Sequence, residues 1–167
     1  MSLEISTREC GISRYVGMPA TARLSEFGAP HGPNHMIPRI YQWLADHGVQ
    51  PNGGPMYVYR HVGAPDEPID LTVAVEISES VKPTDGLVLG SLPAGTYIVG
   101  RHVGSPDDLA ASQARVREWA RMHGHRLGVV DGTDGVPWTG QAERFLTDPA
   151  VEPDPTKWVI ELLFKTA

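Results

Sequence analysis

The sequence predicts an α+β fold. Two copies of a β-α-β-β unit, roughly residues 4–80 and 86–167, pair about a pseudo-twofold axis in a single domain, forming an antiparallel sheet with two main helices. Three observations carry this reading. The segment IYQWLADHG, Ile40–Gly48, matches VREWARMHG, Val116–Gly124, placing Trp43 over Trp119, His47 over His123 and Gly48 over Gly124. Each is followed by a Gly-rich turn, a strand (MYVYR or AERFL), a polar connection and a long closing strand (LTVAVEI or WVIELLF). Finally, a unit of about 80 residues buries little of its own sheet, so pairing two copies is the economical solution.

In the first unit, the apolar run Ile12–Val16 reads as a strand, and Met1–Leu3 carry no weight. Ile37, Ile40, Tyr41 and Leu44 then recur at helical spacing; the helix runs from Asn34 or Ile37 to His47, with Pro38 tolerated in its opening turn and Gly48 ending it. Strands follow at Met56–Tyr59 and Leu71–Ile77.

In the second unit, Tyr97–Val99 is a strand. Ser105 caps a helix with Pro106 at its first position, and Asp107 and Asp108 complement the positive end of its dipole. Leu109, Val116, Trp119 and Ala120 form its buried stripe, and Gly124 follows its end. Glu143–Leu146 and Trp158–Phe164 complete the set. RHVGAPDE, Arg60–Glu67, and RHVGSPDD, Arg101–Asp108, are nearly identical, but one leads to a strand and the other to a helix; they are local likenesses outside the duplication.

Composition narrows the function. The 167 residues are 41% hydrophobic and carry a net charge of −6, which suits a globular fold and disfavours direct binding to nucleic acid. One cysteine, Cys10, excludes an internal disulfide framework. No apolar run spans a membrane and no signal peptide is recognisable, so a cytoplasmic protein without membrane contact is expected. The seven histidines lack the spacing and extra ligands of a metal site, and no cofactor fingerprint is present, so neither metal nor cofactor is expected.

Strand alternation in QAERFLTDP, Gln141–Pro149, puts Glu143 and Phe145 on one face and Arg144 on the other. Glu143 is either a solvated strand residue or a carboxylate turned inward. Under the duplication Glu143 and Phe145 occupy the positions of Tyr57 and Tyr59. If these strands meet near the axis, a carboxylate stands among aromatic rings, an arrangement suited to a ligand both apolar and cationic.

Together, WLADHG, GPMYVY, LPAGTYIVGRHVG, AERFLTDP and DPTKWVIELLF resemble the GyrI-like small-molecule-binding domain, the effector-binding half of multidrug-sensing transcriptional activators. The resemblance spans almost the whole chain, most firmly Leu92–Phe164. It implies a central ligand pocket with Glu143 at its base; Phe145 stands where the family often has tyrosine. Further lining candidates are Tyr57 and Tyr59 from the duplication, Trp138 as a loop ring closing over a ligand, Tyr97 on its strand, and Met36 and Ile40 at the start of the first helix.

The expectation is a stand-alone binding protein for amphipathic, cationic small molecules, since the chain offers neither the length nor the basic charge for a helix-turn-helix segment; any regulatory role would need a protein partner. Two alternatives follow from the resemblance. One is hydrolysis of reactive cyclopropane-bearing compounds with Glu143 as general base. The other is a protein-interaction role such as inhibition of DNA gyrase.

Overall fold

The computed structural model describes residues 1–128, 130–131 and 137–167. The chain forms β1 (Ser2–Cys10), β2 (Ser13–Ala22), α1 (Ile37–Asp46), β3 (Pro51–His61), β4 (Ile69–Ile77), β5 (Val88–Leu92), β6 (Gly95–Val103), α2 (Leu109–Met122), β7 (Val130–Asp131), β8 (Pro137–Trp138), β9 (Gln141–Phe145) and β10 (Val159–Lys165). Eight strands make one antiparallel sheet in the order β1-β6-β10-β9-β3-β4-β2-β5, while β7 and β8 pair separately. The order is palindromic: β6, β10 and β9 stand to one half as β2, β4 and β3 stand to the other.

Two strands enlarge the expected units. β1 pairs with β6, and β5 pairs with β2, so the strand that opens each unit borders the opposite one. The expected first strand began only at Ile12, yet Leu3 and Ile5 of β1 pack beneath α2. β5, VLGSL, was not expected either; it has one glycine and five residues, too short to show a period.

This exchange forces the sheet to curl. β1 and β2 lie six strand spacings apart in the sheet order, about 29 Å if it were flat. Only two residues, Gly11 and Ile12, join them, and three Cα steps reach at most about 11 Å. The same holds for β5 and β6, joined through Pro93 and Ala94. The sheet therefore rolls up with its helix-free face inside, burying Tyr15, Met56, Val58, Tyr97, Trp138, Ala142 and Leu163. At one end of that interior an ionic ladder crosses the strands. Arg8 donates to Glu161 at 2.9 Å, Arg144 donates to Glu161 at 3.0 Å and also to Glu76, and Ser13 donates to Glu76. Arg144 spans the gap because β3 bulges there: Pro51 faces Ile77 and Pro55 faces Val75, four steps against two. Within the bulge, Gly54 lies so near β9 that a Cβ would stand 2.1 Å from the carbonyl oxygen of Phe145.

The helices cover the outer face. α1 begins at Ile37 and packs Ile40, Trp43 and Leu44 on Tyr57, Tyr59, Val73 and Val75. α2 packs Val116 and Ala120 on Ile98, Ile160, Leu162 and Phe164. Ser112 joins that stripe, whereas Leu109 and Trp119 sit at its half-buried margin. The duplicated helix ends match in detail. Trp43 stacks on His47 at 4.0 Å and Trp119 on His123 at 3.9 Å; each histidine Nδ1 lies 2.8 Å from the tryptophan carbonyl oxygen one turn back. Among the described residues no helix is long and apolar enough to cross a membrane.

Candidate functional site

The axis of the duplication passes between β3 and β9. Tyr57 lies directly opposite Glu143 in the register, with Met56 opposite Arg144 and Val58 opposite Ala142. The pair on the axis, Tyr57 and Glu143, is thus both equated by the repeat and directly cross-strand, and alternation aims Tyr57, Tyr59, Glu143 and Phe145 at the helices. The two diagonals are related by the same axis: Tyr59 Oη donates to Glu143 Oε2 at 2.9 Å, and Phe145 meets Tyr57 edge-on with centroids 5.2 Å apart.

Each unit closes the centre with a carboxamide. Asn34, in a short turn over Pro33–His35 that leads into α1, accepts a hydrogen bond from Tyr57 Oη. Gln113, on the first turns of α2, donates through Nε2 to Glu143 Oε1. One helical turn further on, Arg117 donates to Gln141 at 2.9 Å and lies over the Phe164 ring at 5.3 Å. Phe27 adds an edge-on contact to Tyr57 at 5.6 Å.

Glu143 is 3% exposed. Burial pushes its carboxyl up to about 7, against the lowering effect of the Tyr59 and Gln113 hydrogen bonds and the Arg117 charge. Burial, and then the Glu143 charge, raise the phenols of Tyr57 and Tyr59, so both stay protonated as donors. The arrangement offers a carboxylate near its midpoint at neutral pH, in an aromatic wall, with both oxygens engaged by donors of this chain. Such a group can neutralise a cation or take a proton.

The eight candidate residues divide by sheet face. Glu143, Tyr57, Tyr59 and Phe145 meet at the axis; Ile40 is fully buried and Met36 half-buried in the apolar cluster shared with both tyrosines. Trp138 and Tyr97 lie inside the roll, on the opposite face, which corrects the expectation for both. Trp138 is a strand residue, 1% exposed, that donates through Nε1 to the Gln141 carbonyl oxygen at 3.2 Å. Its ring is buried in the core of the roll and does not stand in a loop; residues 132–136, ahead of it, lie outside the described residues. Tyr97 donates to the Pro93 carbonyl oxygen at 2.7 Å at the crossing between β5 and β6. Sequence reasoning missed Gln113, Arg117, Asn34 and Phe27. The available signal for the first two was a pair of polar residues, one turn apart, flanking the buried stripe of α2.

Two open clefts lie elsewhere. One of about 750 Å³ is lined by Arg14, Tyr15, Arg60, Thr72 and Gly90 among others, and one of about 450 Å³ by Ser13, Asn52, Glu76 and neighbours. Neither is lined by Glu143, Tyr57, Tyr59 or Phe145. The candidate site is placed at the axis because a buried, ionisable carboxyl among aromatics is found there.

Residues 14–132 match the family model of the GyrI-like small molecule binding domain. That span ends before Glu143, so the glutamate stands on geometry. No curated protein matches the chain by sequence. Among solved structures, the C-terminal domain of EcmrR superimposes with a TM-score of 0.81 at 15% identity, covering 100% of this chain and 99% of that one. In the EcmrR–DNA complex the TM-score is 0.79 at 15% identity, and this chain covers only 57% of the EcmrR chain. SAV2435 bound to tetraphenylphosphonium gives 0.59 at 12% identity, covering 98% and 94%. A hydrolase from Listeria innocua gives 0.66 at 12% identity, covering 98% and 92%. At these identities the likeness shows a common fold.

Proposed function

The chain belongs to the GyrI-like small-molecule-binding domain family, and from that premise we propose that it takes up amphipathic, cationic compounds at the axis, with Glu143 as the countercharge. The observation that carries this reading is the buried carboxyl of Glu143, opposite Tyr57, bonded to Tyr59 and facing the helices on the same side of its strand as Phe145. Aromatic faces supply contact area and cation–π attraction, and a cation beside Glu143 draws its carboxyl back to the ionised form. The fold likeness to SAV2435, which is bound to a lipophilic cation, supports the ligand class. The likeness to EcmrR, which is found in complex with DNA, supports a link to transcription regulation.

Calorimetric titration tests this. At pH 8, tetraphenylphosphonium should bind the wild type, and Glu143→Gln should weaken it by about tenfold or more, the scale of one lost charge contact in a partly desolvated site. The neutral triphenylphosphine oxide should be nearly indifferent to the change. Equal loss for both probes would mean that Glu143 acts through shape rather than charge.

A second reading has a specific observation behind it: a carboxyl near 7 is suited to general-base hydrolysis, and the Listeria innocua hydrolase shares the fold. It predicts the opposite pattern for Glu143→Gln, with turnover lost and substrate binding kept.

A further inference from the structure

The unliganded centre is already filled by groups of this chain, and the way it is filled constrains what can replace them. Resting on the reading that ligands bind beside Glu143, we propose that Gln113 is an internal surrogate ligand, displaced on binding, and that the site therefore selects lipophilic bases carrying an N–H over permanently charged cations without one.

The argument starts from donors and acceptors. An ionised carboxylate is purely an acceptor, and a buried oxygen without a donor loses the full hydration it had in water. Glu143 Oε2 has a donor fixed within its own sheet, the Tyr59 hydroxyl at 2.9 Å. Oε1 depends on the Gln113 carboxamide, which arrives from α2. These partners differ in mobility. Tyr59 is buried in the core beneath α1, whereas Gln113 is half-buried at the edge of the α2 stripe, with a long side chain able to swing out. A ligand reaching Glu143 from between the helices therefore displaces Gln113 and leaves Tyr59 in place.

The occupant must then do what Gln113 did. A quaternary ammonium or phosphonium ion neutralises the charge but brings no N–H, so Oε1 is left without a donor in a site closed to water. A primary or secondary ammonium ion supplies both the charge and the donor. Arg117 sharpens the choice. Its charge already offsets a part of the Glu143 charge, and its guanidinium is held by Gln141 and the Phe164 ring, so charge alone gains somewhat less. A directed hydrogen bond is not diluted in that way.

A matched pair tests the proposal: bis(2-phenylethyl)ammonium and its N,N-dimethyl quaternary analogue, each titrated at pH 8 into the wild type, Gln113→Ala and Glu143→Gln. The expected results are about tenfold tighter binding of the N–H compound by the wild type, tighter binding of both by Gln113→Ala with the preference kept, and loss of the preference in Glu143→Gln. Equal wild-type affinities, or a preference for the quaternary ion, would overturn the N–H selection. Weaker binding of both compounds by Gln113→Ala would overturn the displacement, since Gln113 would then be holding the ligand. Failure of the underlying site has a different signature: both compounds bind, and Glu143→Gln changes neither affinity.

Discussion

Replacing Glu143 by glutamine should stabilise the protein at alkaline pH even as it impairs binding. In the folded protein the carboxyl titrates at about 7 instead of the ordinary 4.5, because burial penalises its charge more than Tyr59, Gln113 and Arg117 relieve it. Folding thus takes up a proton between those two values. The stability associated with the neutral carboxyl is fully present below 4.5, falls as pH rises, and is gone above about 7. The interval corresponds to roughly 3 kcal/mol, an upper bound for what the ionised group costs the fold at pH 8. Glutamine keeps the volume and an acceptor oxygen without the charge. Urea unfolding of both proteins between pH 4.5 and 8 should give similar stabilities at the acid end and a growing advantage for Glu143→Gln, reaching about 2–3 kcal/mol at pH 8. Taking the difference cancels groups common to both, such as Glu161, which burial pushes up but the hydrogen bonds from Arg8 and Arg144 hold low. A difference that stays flat across this range, or a variant less stable at pH 8, would refute the claim that Glu143 is held against its charge.

Tyr59→Phe removes the donor to Oε2, so the Glu143 carboxyl should rise further; tetraphenylphosphonium affinity, followed against pH, should reach its plateau at a higher pH than in the wild type, with about 1 kcal/mol of stability lost at pH 8. Trp138→Leu removes the ring buried inside the roll and should cost about 3 kcal/mol in urea unfolding while leaving tetraphenylphosphonium affinity within about twofold. Lost affinity with unchanged stability would instead return Trp138 to the ligand.

The helices and the relation between the units were legible because their signals are local. The Trp–His–Gly helix endings recur in sequence, and Gly48 and Gly124, with φ of 66° and 75°, take the left-handed turn that glycine adopts without strain. Aligning MYVYR with AERFL also equated Tyr57 with Glu143 before any contact was known, and because the twofold axis passes through this pair the two stand side by side. Trp138 and Tyr97 were misplaced for a physical reason. Alternation tells which residues of one strand share a face, but not which face of the assembled sheet that is. β1 carried little pattern, since much of it is exposed at an edge.

By itself, then, the sequence determined the α+β class, the doubled unit, the two helices with their C-terminal ends, and the pairing of Glu143 with Tyr57. Only the tertiary structure decided that the first strand of each unit borders the other, that the helix-free face rolls inward over Trp138 and Tyr97, and that Gln113 and Asn34 close the centre. Local spacing governs period, caps and turns. The other set depends on a two-residue link drawing distant strands together and on polar side chains meeting across long stretches of chain, neither of which leaves a periodic trace.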